Sequence, residues 1–190
     1  GAGTDTITTF ENLTGSAFND ILTGNTSANV IDGGAGNDTM NGSTGTDTVS
    51  YASASSNVTV SLANAAAQNT IGAGTDTLSA FENLTGSSFD DTLTGNGNAN
   101  TVDGGNGSDV IEGGLGNDTL IGGAGLDRLT YISATAAVTV SLATTSGQNT
   151  VGAGTDTISG FEHLTGSAFN DTLTGDATGN TIEGLVGNDT

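Results

Sequence analysis

The sequence predicts an all-β fold, a parallel β-solenoid wound from very short strands. Three observations predict it. A nine-residue unit, Gly-Gly-x-Gly-x-Asp-x-aliphatic-x, runs in tandem, as in GGLGNDTLI followed by GGAGLDRLT over residues 113–130. A longer unit recurs three times, starting at Gly1, Gly72 and Gly152, with offsets of 71 and 80 residues that differ by one nonapeptide. Between the repeats, VTVSL (58–62 and 138–142) alternates apolar and polar residues, the period of a strand with one buried face. Nine residues is therefore the quantum of insertion. A fixed period of this kind marks an architecture in which each unit buries its apolar side only against its neighbours.

The units can be followed along the chain. They begin at Gly15, Gly24, Gly33 and Gly42, then at Gly86, Gly95, Gly104, Gly113 and Gly122, then at Gly166, Gly175 and Gly184. The full pattern stands at 33–41, 104–112, 113–121 and 122–130, while the units at 42–50 and 184–190 lack the second Gly. The tandem runs are thus 33–50, 104–130 and 184–190, within a single elongated array over 1–190. Two pieces break the frame: the FENLTG region around Phe10, Phe81 and Phe161, and the segments 51–70 and 131–150 that contain VTVSL. ANAAA (63–67) is too short to hold a helix alone. Phe10, Phe81 and Phe161, with Phe18, Phe89 and Phe169, are expected to fill the core where the coil is irregular. Both ends fall inside a unit, so the chain is expected to be a piece of a longer one.

Each unit has two halves. Its last three residues, such as Thr119-Leu120-Ile121, suit a short strand with the eighth position pointing inward. Its glycines at positions one, two and four permit positive φ and let carbonyls crowd a common point. Two units make one coil of 18 residues, with strands on two opposed sheets and turns on two opposed edges. Residues 18 apart then stack ~4.8 Å apart on one edge. Asp91, Asp109 and Asp127 form such a column, as do Asp20 with Asp38 and Asp171 with Asp189. Asn29 lies under Asp47 and Asn100 under Asp118.

Stacked carboxylates repel by ~1 kcal/mol in water and ~3.5 kcal/mol at an effective dielectric of 20. The chain holds one Lys or Arg against 21 acids, so the compensating charge must come from solution. A set of carboxylate and carbonyl oxygens selects a hard cation rather than zinc or copper. Irregular geometry rich in carbonyls favours Ca²⁺ over Mg²⁺. Asp also suits turns for its own sake, but turn preference does not require a nine-residue clock.

The bulk numbers narrow the function further. A formal charge of −20 excludes a nucleic-acid partner and disfavours an anionic membrane surface. No apolar run approaches the ~18 residues of a membrane span. Low apolar content and high charge alone would suit a disordered chain, and the periodicity argues against it. One His and no Cys leave no Ser-His-Asp or Cys-His arrangement, and His163 is replaced by Asn12 and Asn83 in the other copies, so no enzyme is expected. Arg128, at position seven, reads as an outward surface side chain.

GGAGNDTMN, GGNGSDVIE, GGLGNDTLI and GGAGLDRLT resemble the RTX nonapeptide, the hemolysin-type calcium-binding repeat. The long unit also looks like segments of large type I-secreted bacterial adhesins. The resemblance implies a parallel β-roll that folds on Ca²⁺ after secretion. It implies side-chain ligands at Asp38, Asp47, Asp109, Asp118 and Asp127, and also at Asp20, Asp91, Asp171 and Asp189. Carbonyl ligands would come from Gly33, Ala35, Gly104, Asn106, Gly113, Leu115, Gly122 and Ala124. Asn29 and Asn100 are neutral at position six and break the pattern there. The expected role is a calcium-stiffened extracellular stalk, or a building block of a bacterial surface filament or layer, with end-to-end or lateral self-association at open solenoid ends. The alternatives are an accessory module of a secreted protease, lipase or epimerase, or an ice- or surface-binding solenoid. Thr4/Thr6, Thr46/Thr48, Thr75/Thr77 and Thr155/Thr157 would line the flat face of the last.

Overall fold

The fold was read from a computed structural model, which describes residues 10–190. Among these residues every regular element is a strand, most of them three residues long. The Thr4/Thr6 pair lies outside the described residues.

The strands fall where the eighth position of each unit demands. Asn12–Thr14, Val30–Asp32, Thr48–Ser50, Asn83–Thr85, Thr101–Asn106, Thr119–Ala124 and Thr155–Ser159 stack in parallel as one sheet. On the opposite side Ile21–Thr23, Thr39–Asn41 and Thr75–Ser79 stack in parallel, and Thr59–Ser61, Thr92–Thr94, Val110–Glu112, Arg128–Thr130, His163–Thr165 and Thr181–Glu183 form a second parallel stack. Registers follow the 18-residue coil, as in Leu93↔Ile111 and Val102↔Leu120. FENLTG does not leave this register: Leu84 pairs with both Val49 and Val102.

Between the two sheets runs a file of single aliphatic side chains. Ile31, Met40, Val49, Leu84, Leu93, Val102, Ile111, Leu120, Leu129 and Leu164 are essentially inaccessible. Each contributes about 1.5–3 kcal/mol by leaving water. This narrow core replaces the broad one that the composition could not build.

The two irregular segments add layers rather than loops. Thr59–Ser61, in the first VTVSL, pairs with Thr92–Thr94, and Thr139–Ser141, in the second, pairs with Thr172–Thr174. The first adds a strand to one side of the solenoid and the second to the other. Each segment turns back through two antiparallel residues, Gln68–Asn69 and Gln148–Asn149, the exceptions to parallel pairing among the described strands. Gln68 and Gln148 fix these turns by gripping the backbone of the serine in VTVSL: Ser61 N–H donates to Gln68 Oε1 and Ser141 N–H to Gln148 Oε1, each at 2.8 Å, and each glutamine Nε2 donates back to the carbonyl of the same serine.

The phenylalanines divide, which corrects the expectation that all six fill the core. Phe81 and Phe161 are buried, but Phe10, Phe18, Phe89 and Phe169 are exposed. Phe18, Phe89 and Phe169 occupy position four, the turn position held elsewhere by Gly. A side chain there stands off the edge of the coil instead of entering it.

Candidate metal centre

The turns on the two edges carry the chemistry. In the tandem units 33–50 and 104–130 the sixth-position Asp is drawn inward by one oxygen. Asp20 N–H donates to Asp38 Oδ1 at 2.8 Å, Asn29 N–H to Asp47 Oδ1 at 2.7 Å, and Asp91 N–H to Asp109 Oδ1 at 2.8 Å. Asn100 N–H donates to Asp118 Oδ1 at 2.9 Å and Asp109 N–H to Asp127 Oδ1 at 2.8 Å. Each carboxylate therefore caps the backbone of the neighbouring coil. The columns anticipated from the spacing exist as hydrogen-bonded ladders.

The second oxygen behaves differently. Oδ2 of Asp38, Asp47, Asp109, Asp118 and Asp127 is buried without a hydrogen-bond partner, on residues that are at most 2 % exposed. A buried oxygen without a donor costs about 1–3 kcal/mol, and more when it is charged. Five such atoms at equivalent positions mark a requirement of the turn. Burial pushes the carboxyls of Asp38, Asp47 and Asp127 upward, Asp109 to about 7 and Asp118 to about 6. Desolvation penalises the anion, and a cation among these oxygens would reverse that preference.

Glycine makes the approach possible. A methyl group on Gly33, Gly104 or Gly113 would strike Oδ2 of Asp38, Asp109 or Asp118. The carbonyls of these first-position glycines face the coil before: Gly104 O lies against Gly86 and Gly122 O against Gly104. Gly33, Gly104, Gly113 and Gly122 are buried beside their carboxylates, whereas Ala35, Asn106, Leu115 and Ala124 at position three form the exposed tip. The Ala124 carbonyl accepts Gly107 N–H at 3.0 Å. The second position turns to positive φ even where Gly is lost, at Ser43 (79°) and Leu185 (68°). Left-handed backbone at such residues costs roughly 1–2 kcal/mol, so the turn shape outweighs side-chain preference.

The other sixth-position acids are satisfied from within. Asp20 Oδ2 accepts both the amide and the hydroxyl of Ser16. Ser87 and Ser167 supply the same two donors to Asp91 and Asp171, the amide to Oδ2 and the hydroxyl to Oδ1. These units begin Gly-Ser rather than Gly-Gly, and the serine supplies two donors. Asp189 is exposed and accepts Asp171 N–H at 2.9 Å. Asn29 and Asn100 use the amide that Asp lacks: their Nδ2 groups donate to Phe10 O and Glu82 O at 3.0 and 2.8 Å.

Four further acids stand in the same columns and were missed in the sequence. Asp76 and Asp156 are fully buried and accept the N–H groups of Asp38 and Asp118 through Oδ1. Their Oδ2 atoms receive hydroxyls, from Tyr51 and Thr70 for Asp76 and from Tyr131 and Thr150 for Asp156. The signal was present: GAGTDTLS at 72–79 and GAGTDTIS at 152–159 are nonapeptides without the first Gly. Glu82 and Glu162 accept the N–H groups of Asp47 and Asp127 at 2.8 and 2.9 Å.

Among the described residues no three acidic, His or Cys side chains converge on one point. A cation on these edges would therefore take few carboxylates and complete its shell with carbonyls, the habit of Ca²⁺. The donor set fits that ion: buried, unpartnered carboxylate oxygens beside inward-facing glycine carbonyls.

Comparison with known families agrees with this geometry. The model of the RTX calcium-binding nonapeptide repeat matches four times, over residues 14–49, 79–111, 103–130 and 159–190. No curated protein matches the chain.

Proposed function

Since this chain belongs to the RTX calcium-binding nonapeptide repeat family, whose repeats bind Ca²⁺ in their turns, we propose that it is a structural module that calcium folds and stiffens outside the cell. Asp38, Asp47, Asp109, Asp118 and Asp127 are its principal side-chain ligands. The carbonyls of Gly33, Gly104, Gly113 and Gly122 serve beside them. Asp20, Asp91 and Asp171, already supplied by serine, are secondary. The observation that carries this reading is the set of five buried Oδ2 atoms without donors, at one position of successive units.

Bound Ca²⁺ supplies the positive charge that a chain of formal charge −20 lacks on its edges. The protein's part is to hold one oxygen of each Asp on the neighbouring coil and leave the other for the ion. At low calcium the edge acids keep the coils apart. At the millimolar calcium found outside cells, binding free energy becomes folding free energy. The apolar file and the parallel ladders then close into a rod. Such a rod suits a stalk of a surface adhesin, or a repeating part of a filament or layer, and its role is structural rather than catalytic.

Circular dichroism in chelator, in millimolar Ca²⁺ and in Mg²⁺ at equal ionic strength tests the reading. The expected result is a strand spectrum in Ca²⁺ alone. Identical strand spectra in all three solutions would refute calcium-dependent folding.

A further inference from the structure

The FEN and FEH junctions at 81–83 and 161–163 look like interruptions of the repeat, yet their backbone rejoins the column through acidic residues. Resting on the reading that the edge turns hold calcium, we infer that Glu82 and Glu162 are themselves calcium ligands. They complete one junction site with Asp47 and another with Asp127.

The argument begins with chain length. In a complete unit four residues lie between the first-position Gly and the sixth-position Asp. At the junction, Ala80 and Glu82 occupy those two places with only Phe81 between them. Asp38 meets its column neighbour Asp76 across 38 residues, whereas Asp47 meets Glu82 across 35. The insertion is common to both, so the junction turn is shorter by three residues. A glutamate side chain, one methylene longer than aspartate, spans the lost distance.

The backbone agrees. The carbonyl of Ala80 faces Gly42, as the carbonyl of Gly104 faces Gly86, and the carbonyl of Gly160 faces Gly122 in the same way. Both residues take positive φ, 53° at Ala80 and 71° at Gly160, and so aim that carbonyl at the preceding coil. Glu82 N–H and Asn83 N–H both donate to Asp47 O, at 3.1 and 2.9 Å, and Glu162 N–H and His163 N–H repeat this on Asp127 O at the same distances. Each Glu is thereby seated directly over its Asp.

An independent feature points to a ligand. Asp47 and Asp127 are fully buried, and Oδ2 of each has no partner. A methyl placed on Gly42 would come within 2.9 Å of Asp47 Oδ2 and closer still to Ala80 O. The unpartnered oxygen and the redirected carbonyl therefore converge on one spot, beside the glutamate. A Glu, an Asp and a carbonyl form an all-oxygen set suited to Ca²⁺.

The test is the number of calcium ions bound by the whole chain, counted by native mass spectrometry and by calorimetric titration. Glu82→Gln and Glu162→Gln keep an oxygen to accept the Asp N–H and remove the charge. Each is expected to bind one ion fewer than the parent, and the double variant two fewer. Glu183→Gln, on an outer sheet face, is expected to keep the full number. Glu82→Asp, with the charge kept but the reach lost, should also lose one. A purely structural glutamate predicts the full count in both Gln variants, and that result overturns the inference. A parent chain that binds no calcium overturns instead the reading on which it rests. If a variant does not fold, infrared spectra of the parent chain labelled with ¹³C-glutamate decide. Exchange of Ca²⁺ for Sr²⁺ should shift a glutamate carboxylate band, and an unshifted band overturns the assignment.

Discussion

Asp118 and Asp156 follow one another in a single column, each holding the backbone of the coil before, and their remaining oxygens meet opposite surroundings. Oδ2 of Asp118 has no donor, while Oδ2 of Asp156 receives the hydroxyls of Tyr131 and Thr150 at 3.1 and 3.3 Å. The same contrast separates Asp38 from Asp76, which is fed by Tyr51 and Thr70. Burial raises the carboxyls of both Asp118 and Asp156, but hydrogen bonds from the Tyr131 and Thr150 hydroxyls pull Asp156 back. A buried acid in this solenoid can thus be completed by an ion or by the protein. The segments 51–79 and 131–159 bring their own donors, and the tandem runs 33–50 and 104–130 do not. On the proposed function, dependence on calcium is in this sense local.

That contrast can be broken most sharply at Asp118. Asp118→Asn keeps an oxygen for Asn100 N–H and removes the charge. Each ion taken up on folding adds about 1.4 kcal/mol to the unfolding free energy per tenfold rise in free calcium above its dissociation constant. Denaturant unfolding at a series of calcium concentrations should therefore show a slope lower by about one ion in Asp118→Asn. A slope equal to that of the parent would remove Asp118 from the ligand set.

The complementary substitution is Tyr131→Phe, which takes one donor from Asp156 without altering charge. The expected loss is about 1–2 kcal/mol at every calcium concentration at which the chain is folded, with the slope unchanged. The plot should run parallel to that of the parent. A changed slope would mean that the insert-flanking turn takes part in ion binding, and the distinction between the two kinds of turn would fail.

These two aspartates also mark how far the sequence could be read. The eighth-position file and the 18-residue columns followed from period alone, because a strand side chain has only two directions and the coil length fixes its neighbours. Asp38, Asp47, Asp109, Asp118 and Asp127 followed from the same clock. Asp76 and Asp156 escaped because Ile71 and Val151 stand where the unit begins with Gly, both at φ 64°. Glu82 and Glu162 escaped because three residues are missing before them, which a pattern of fixed spacing cannot register. The exposure of Phe18, Phe89 and Phe169 was hidden by composition. An aromatic residue in a chain with six Phe invites assignment to the core, and only its place in the turn turns it outward. The donors that complete Asp91 and Asp171 were in plain view as Ser87 and Ser167. Their meaning depends on a hydroxyl reaching forward four residues, which the backbone alone decides.

The finest comparison lies between the two junctions, which differ at the residue that turns the carbonyl. Ala80 holds φ 53° and Gly160 holds φ 71°. An L side chain there costs roughly 1–2 kcal/mol, of which about 0.4–1 kcal/mol is offset because glycine loses more entropy on folding. Ala80→Gly should therefore stabilise the calcium-loaded chain by about 0.5 kcal/mol, measured by denaturant unfolding. Gly160→Ala should destabilise it by somewhat more, because the added carbon would lie 3.0 Å from Gly123 N as well as in a strained backbone. If both substitutions moved stability in the same direction, left-handed geometry would not be the common requirement of the two junctions, and their carbonyls would have to be held in place by something other than the turn.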